Sequence, residues 1–520
     1  MTTPKKKQKT KAEQTTSQRL SSVIKSVRTI MRKDKGLNGD ADRLPMLTWL
    51  MFLKFLDDLE QTHQEEAEFE GRTYRPVLDG IYRWSGWAKS DVTGDDLLNF
   101  INQEKYELEP GKEMPGLLSY LRNLEGEGAR DRRTVVAEIF RGVQNRMING
   151  YLLKEVVQKL DTLDFTSSEE SHTLGALYEG MLKEMRDAAG DAGEFYTPRA
   201  VVRFMVKALD PKLGEVVLDP ASGTGGFLVE AFEHLKDQAK TTEELEVLQN
   251  RSVIGGEAKP LPYLLAQMNL TLHGMESPQI DSGNSLRFNL SEIGDRDRVD
   301  VILANPPFGG EEEKGIQNNF PADKRTNETA LLFMQLIMRK LRRQTSNQRG
   351  GRAGVVVPNG FLFDASTAGI AIKKDLLSEF SLHTIVRLKE GVFSPYTDIP
   401  TNILFFERNL PSKDIWYYES PLPDSRKKYT KTKPIQFDEF APLLNWWDNR
   451  EENDRAWRVD VSAIAGNNYN LDIKNPNAAQ DFEHMPPQEL LADIMHKERR
   501  ILELLEELQV ELGQGVAADA

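Results

Sequence analysis

Cysteine is absent from the 520 residues of the chain. Its absence excludes disulfide bonds, zinc sites built on thiolates and cysteine nucleophiles, and it is compatible with a reducing compartment. Long hydrophobic runs are also missing, since no apolar stretch approaches the roughly 20 residues of a membrane span, and the first residues lack the apolar segment of a signal peptide. The sequence therefore predicts a cytoplasmic protein with no membrane partner.

Positive charge is in short supply as well, because 81 acidic residues outnumber 67 basic ones and the formal charge is −14. Affinity for duplex DNA comes largely from neutralising phosphates, so this balance argues against a protein that wraps DNA by electrostatics alone. Residues 1–35 are an exception, since they hold eleven lysines and arginines. We predict a basic disordered arm over residues 1–15, either a solvated tail or a segment that contacts phosphates.

What the chain does have is enough apolar residues, 39%, to build more than one core. Apolar residues at helical spacing predict an α-helical domain over residues 16–165. From residue 194 to about 410 strand and helix patterns alternate, with six strand candidates at Val216, Val253, Val299, Val355, 384–388 and 402–406. This alternation predicts a doubly wound, Rossmann-like α/β domain with a parallel sheet over residues 166–410. An irregular, polar extension is expected over residues 411–486. A seam of mostly apolar residues in steps of three and four predicts a C-terminal helix over residues 487–520; the seam consists of Leu491, Ile494, Glu498, Ile501, Leu505, Leu508 and Leu512.

A glycine-rich loop runs from Asp219 to Phe227 and separates a predicted strand from a predicted helix. Glycines let a backbone approach a ligand closely, and a helix start offers amides to a carboxylate or phosphate. The spacing is not that of the dinucleotide fingerprint. Asp219 would repel a pyrophosphate but could hold an amino group, as in the methionine portion of S-adenosylmethionine. Glu257, after the next predicted strand, is placed to bond ribose hydroxyls.

A second motif follows the apolar run that ends at Ala304 and reads Asn305, Pro306, Pro307, Phe308. The Asn305 side-chain oxygen and the Pro306 main-chain oxygen could accept both hydrogens of an exocyclic amine and draw its nitrogen toward tetrahedral geometry. Phe308 offers a face for an extruded base, which is worth roughly 1 to 3 kcal/mol. A capped turn with a buried Phe is the structural alternative.

Together these motifs resemble those of N6-adenine DNA methyltransferases, and specifically of the modification subunit of type I restriction-modification systems. The likeness covers nearly the whole chain and includes residues 193–199, 219–227, 263–274, 305–308 and 354–361. It implies S-adenosylmethionine-dependent methyl transfer to N6 of adenine in duplex DNA, by a catalytic motif of Asn305, Pro306, Pro307 and Phe308 and without a metal. The cofactor-binding residues that it implies are Glu194, Phe195, Tyr196, Thr197, Pro198, Asp219, Ala221, Ser222, Gly223, Thr224, Gly225, Gly226, Phe227, Glu257 and Asn284.

One position departs from the family pattern. Asn284 stands where methyltransferases of this kind often carry Asp, although an Asn can still bond the adenine of the cofactor. The polar stretch after the catalytic motif, over residues 309–327, is either a surface loop or a segment that orders on DNA.

The resemblance also implies partners: duplex DNA with a flipped adenine, a DNA-specificity subunit with two copies of this chain, and a restriction subunit. The seam of the C-terminal helix could pack on its own domain or dock on a partner subunit. The basic run over residues 426–433 is either a solvated loop or a contact with nucleic acid.

Two alternatives to the function of a modification subunit are a stand-alone adenine methyltransferase and a non-catalytic scaffold. The presence of Asp219, Glu257, Asn305 and Phe308 argues against the scaffold.

Overall fold

The computed structural model describes residues 16–89, 91–128, 131–165, 178, 197–394, 397–409, 411–423, 426–477, 495, 497–499 and 501. The chain divides into two compact units, Met1–Lys474 and Asn475–Ala520. The predicted basic arm, residues 194–196 and most of the predicted C-terminal helix lie outside the described residues. Within the described part, no helix is long and apolar enough to cross a membrane.

The first part of the chain is helical, as predicted, with one small β-hairpin that the sequence pattern did not reveal. Trp84 and Trp87 are buried against each other in the core. Helix starts are capped where the sequence supplies Thr93, Asp131 or Asn149, whose side chains accept from backbone amides. The elements are α1 Thr16–Met31, α2 Asp40–Phe69, α3 Trp84–Trp87, α4 Gly94–Asn102, β1 Lys105–Glu109, β2 Lys112–Pro115, α5 Leu117–Arg122, α6 Arg132–Phe140 and α7 Gly150–Leu160.

A nine-stranded sheet forms the centre of the catalytic part, in the order β11-β10-β8-β9-β7-β6-β3-β4-β5. All six predicted strands are present, and three further ones, β5, β10 and β11, were not predicted. The strands are β3 Val217–Asp219, β4 Val253–Gly256, β5 Gln279–Asp281, β6 Val301–Ala304, β7 Arg352–Pro358, β8 Ser381–Arg387, β9 Thr401–Glu407, β10 Asp414–Glu419 and β11 Ala456–Asp460.

Helices cover both faces of this sheet, as expected for a doubly wound fold. Helix α11 also packs on α2 and α6 of the helical part, where the Tyr263 hydroxyl lies 3.3 Å from Glu138. The helices are α8 Arg199–Leu209, α9 Gly226–Lys236, α10 Thr242–Arg251, α11 Pro260–Leu272, α12 Lys314–Gln317, α13 Thr329–Lys340, α14 Asn359–Phe363, α15 Thr367–Ser378, α16 Ala441–Trp447 and α17 Val461–Gly466.

The prediction of a parallel sheet needs correction, because β9 runs antiparallel to both β7 and β8. No helix lies among the described residues between β8 and β9, and a parallel return would need a long crossover. The strand is buried and apolar from Thr401 to Phe406, and such a run does not encode direction.

The segment 411–486, predicted to be irregular, contributes two strands to the sheet. β10 pairs parallel with β8, and β11 closes the edge antiparallel to β10. The basic run within this segment is partly packed: Tyr429 is buried and bonds Glu439 at 2.7 Å, while Lys428 pairs with Asp398 at 2.8 Å.

The topology places four polar residues at one edge of the sheet. Strands β6, β3, β4 and β5 are neighbours and run parallel. Their carboxyl ends lead into Asn305, Asp219, Glu257 and Asn284, respectively. The strand order reverses between β3 and β6: β4 and β5 lie on one side of this pair, and β7 to β11 lie on the other. Ligands of open α/β sheets bind at such a switch point.

Candidate active site

The glycine loop between β3 and α9 is the floor of the site. Gly225 has φ of 79°, a left-handed conformation that favours glycine, and an added Cβ would lie 3.3 Å from Ala266. The Ser222 hydroxyl ties the loop to β4, because it donates to the Asp219 carbonyl at 2.8 Å and accepts from the Gly256 amide at 3.1 Å. The loop is thus held rigidly at the ends of two neighbouring strands.

Asp219 is a buried acid, with 1% of its surface exposed. Its Oδ1 accepts from the Ala221 amide at 3.1 Å, and no Lys, Arg or His of the described chain forms an ion pair with it. Burial raises the pKa of Asp219 to about 8; the Ala221 amide opposes this effect and the Glu257 carboxylate adds to it. A ligand with a positive charge beside Asp219 would relieve this cost.

Glu257 is held in place by backbone amides. Its Oε2 accepts from Gly223 at 3.0 Å and its Oε1 accepts from Lys259 at 2.8 Å. Glu257 therefore connects the glycine loop to the end of β4, and its carboxylate lines the cavity.

Asn305 stands directly after β6 and its amide is oriented by Thr197. The Asn305 Nδ2 donates to the Thr197 hydroxyl at 3.1 Å. The Asn305 Oδ1 is buried and has no hydrogen-bond partner within the described part of the chain. A buried acceptor without a partner costs free energy, on the order of 1 to 3 kcal/mol, which a donor on a ligand would recover.

Phe308 lies three residues further on, half-buried, with its ring centroid 6.2 Å from that of Phe393 at an angle of 70°. The edge-to-face contact fixes one side of the Phe308 ring. Gly309 follows with φ of 70°, which turns the chain away from the sheet.

A cavity of about 280 Å³ brings most of the predicted residues together. Pro198, Gly225, Pro306 and Phe308 do not line it, and Glu194, Phe195 and Tyr196 lie outside the described residues. The predicted residues that line the cavity are Thr197, Asp219, Ala221, Ser222, Gly223, Thr224, Gly226, Phe227, Glu257, Asn284, Asn305 and Pro307. Within the described chain, no group of His, Asp or Glu side chains has the arrangement of a metal site.

The cavity wall also includes residues that the sequence analysis missed, among them Arg199, Lys259, Glu312 and Phe333. Arg199 could have been found, because it is the last residue of the matching stretch 193–199; its guanidinium donates to the Gly226 carbonyl at 2.7 Å. Glu312 and Phe333 belong to no motif, and only the tertiary structure reveals them.

Comparisons with known proteins agree with this geometry. The family model described as N-6 DNA Methylase matches residues 169–485, and that of the HsdM N-terminal domain matches residues 20–160. The chain is 47% identical over 512 residues to the type I restriction enzyme EcoEI methylase subunit of Escherichia coli, an alignment that covers 96% of this chain and 99% of the other.

Solved structures give the same result. The crystal structure of a modification subunit from Vibrio vulnificus YJ016 is 60% identical with a TM-score of 0.82, and the match covers 91% of this chain and all of the other. A chain from a structural study of complex assembly and conformational transition of the type I restriction-modification system is 38% identical with a TM-score of 0.77, covering 96% of this chain and 99% of the other.

Fold, site and comparisons define the class of the protein as an adenine-specific, N6-directed DNA methyltransferase. Within this class, the chain belongs to the modification subunits, also called methylase subunits, of type I restriction-modification systems. The predicted family and activity are confirmed.

Proposed function

We propose that the cavity binds S-adenosylmethionine and that Asn305 to Phe308 receive the target adenine of duplex DNA. The observation that carries the proposal is the Oδ1 of Asn305, which is buried and has no hydrogen-bond partner among the described residues. It lies in the same cavity as the buried carboxyl groups of Asp219 and Glu257. Methyl transfer from this cofactor to an amine requires an acceptor for the amine and acidic groups for the ammonium and hydroxyl groups of the cofactor. The cavity contains both kinds of group.

The residues of the cavity fit the cofactor by their chemistry. Asp219 is buried without a cationic partner within the described chain, so it suits the ammonium group of the methionine portion. The start of α9 offers amides to the carboxylate, and Glu257 offers acceptors to ribose hydroxyls. When bound, S-adenosylmethionine supplies a methyl group attached to a positively charged sulfur.

The catalytic motif acts on the attacking nitrogen of the target base. The lone pair of an aromatic amine is delocalised into the ring and is a poor nucleophile. Acceptance of its two hydrogens by the Asn305 Oδ1 and the Pro306 carbonyl would hold the nitrogen in a tetrahedral arrangement, in which the lone pair is free to attack. The Asn305 Nδ2 donates to the Thr197 hydroxyl, which leaves the Oδ1 as the atom that would accept from the base. Phe308 would stack on the flipped ring.

The domain organisation and the assembly belong to the same proposal. A helical domain over residues 16–165 precedes a catalytic domain over residues 166–410. The extension over residues 411–486 adds β10 and β11 to the sheet of that domain, and a docking helix over residues 487–520 follows. The partners are a specificity subunit that carries two copies of this chain, and a restriction subunit. The net charge of −14 supports a division of labour, because base reading and much of the phosphate contact must then come from a partner.

Replacement of Asn305 by Ala tests the catalytic role in the complex with the specificity subunit. We expect turnover to fall about 100-fold or more, because the lost acceptor acts mainly in the transition state. Cofactor affinity, measured by calorimetry, should change little. Transfer of tritium from labelled S-adenosylmethionine to DNA measures turnover.

Asn250→Ala is the matched control, since this Asn is exposed on α10 and does not line the cavity. It should retain full activity. Near-normal methylation by the Asn305 variant would contradict the proposed role, and absence of any cofactor binding by the unmodified complex would contradict the assignment of the cavity.

A further inference from the structure

The loop after the catalytic motif places a carboxyl group in the cavity. Its backbone is held on two sides, because the Glu312 amide donates to the Asn327 carbonyl at 2.8 Å and the Gln317 side chain donates to the Glu312 carbonyl at 2.6 Å. The side chain of Glu312 is half-buried and lines the cavity beside Asn284 and Ser285. This part of the loop is therefore positioned without any contact with DNA.

Asn284 cannot by itself replace the Asp that is usual at its position. Its Oδ1 already accepts from the Leu286 amide at 2.8 Å and thereby caps a short 3₁₀ turn. Its Nδ2 donates to the Glu312 Oε2 at 3.3 Å and has a second hydrogen to give. Asn284 thus presents a donor to the cavity, whereas an exocyclic amine needs an acceptor.

Glu312 supplies the missing acceptor. The Asn284 amide holds one of its oxygens, and the other has no hydrogen-bond partner within the described part of the chain. Burial raises the pKa of Glu312, an effect that Glu313 increases and Asn284 opposes, so a donor on a ligand would stabilise the ionised carboxylate. Glu312 thus presents an acceptor beside the donor of Asn284. This arrangement complements adenine, whose N6 amine donates and whose N1 accepts.

We propose that Glu312 and Asn284 together recognise the adenine ring of the cofactor, with Glu312 accepting from its N6 amine and Asn284 donating to its N1. The inference rests on the proposed function, in which Glu257 at the end of β4 holds the ribose. The base would then lie toward the end of the neighbouring strand β5, where Asn284 follows. Pro307 and Phe333, which line the same cavity, provide apolar surface for the ring.

Two ligands that differ only in the base distinguish recognition of adenine from binding without a preference for the base. S-adenosylhomocysteine carries the N6 amine and an unprotonated N1, whereas S-inosylhomocysteine carries an oxygen at C6 and a hydrogen on N1. The unmodified chain should prefer the adenosyl compound, and Glu312→Gln should reduce this preference at least about tenfold, because the Gln amide can donate to the C6 oxygen. Titration calorimetry without DNA gives both affinities.

Glu311→Gln makes the same change of charge at an exposed neighbour outside the cavity, and it should leave the preference unchanged. Asn284→Ser is the second variant. It keeps an oxygen for the cap but removes the amide nitrogen, so it should weaken the adenosyl compound about tenfold more than the inosyl compound. Circular dichroism confirms that each variant is folded.

An unchanged preference in Glu312→Gln would overturn the inference, as would a change that occurs only when DNA is present, because Glu312 would then face the target base. If the unmodified chain binds neither nucleoside, the proposed cofactor site itself is wrong. The two failures are therefore distinguishable in one set of titrations.

Discussion

Asp219 is a carboxyl group whose burial works against its ionisation. With a pKa near 8 it is largely protonated at neutral pH in the free protein. An ammonium group in contact with it favours the ionised form, so cofactor binding at pH 7 must release a proton. At pH 9 Asp219 is already largely ionised in the free protein, so binding should release much less of a proton.

We therefore expect the proton release on S-adenosylhomocysteine binding to fall from close to one proton at pH 7 to a small fraction of a proton at pH 9. Calorimetry in two buffers of different ionisation enthalpy measures this balance. In Asp219→Asn the release at pH 7 should disappear, because the amide does not titrate. An equal release by the variant and the unmodified chain would mean that another group contacts the ammonium.

The sequence identifies site residues that belong to a local motif at the end of a strand. Asp219, Glu257 and Asn305 each follow a strand directly or end it, so their position in the chain nearly fixes their position in space. Glu312 lies 28 residues from its partner Asn284 and reaches the cavity by way of a loop. No local pattern encodes that contact, which is why sequence analysis assigned the loop only to the surface or to DNA.

The strands likewise differ in how well the sequence predicts them. β6 is a continuous apolar run, Val301–Ala304, and is buried throughout, so it was predicted. β5 has three residues, of which only Ile280 is buried, and a single apolar residue gives no periodic signal. β10 and β11 are separated by polar loops and the short helix α16, and the polar composition of the loops dominates the segment. The direction of β9 was unpredictable because both of its faces are buried.

Arg352, at the start of β7, connects the sheet to the loop between α8 and β3. Its guanidinium bonds both oxygens of Glu215, at 2.7 and 2.8 Å, and the carbonyls of Leu209 and Asp210. Burial would raise the pKa of Glu215, but the contact with Arg352 holds it below its ordinary value. This ion pair is buried on the Arg side and fully hydrogen-bonded, which is the geometry in which removal of one partner is costly.

Arg352→Met should therefore destabilise the fold by about 3 kcal/mol, because it leaves the Glu215 carboxylate without its partner. The shift of the urea unfolding transition measures the loss. The stability that the ion pair gives through Glu215 is present above the pKa of Glu in the unfolded chain, and it is lost as the pH falls through the lowered pKa of Glu215 in the folded protein. The free energies of unfolding of the variant and the unmodified protein should therefore converge in acid. Arg75→Met, which removes an exposed pair with Glu127, should cost less than 1 kcal/mol.

For the whole molecule, the central question is how an acidic protein comes to act at one DNA sequence. The formal charge is −14, and base reading requires an element shaped to a groove, of which the sequence gives no sign. The segment 487–520 is no exception, since it holds eight acidic and three basic residues. It belongs to the smaller compact unit, Asn475–Ala520. Its leucine seam and its charge suit a protein partner better than DNA.

We expect that a chain ending at Pro486 keeps cofactor binding but fails to assemble with the specificity subunit, because the seam that would dock on partner helices is removed. Copurification tests assembly, and protection of plasmid DNA from cleavage tests site-specific methylation. A chain ending at Leu512 is the control, since it keeps the whole seam and loses only the small residues that follow it. Stable assembly by the shorter chain would remove the helix from the interface. Site-specific methylation by the full chain alone would instead show that this subunit reads DNA without a partner.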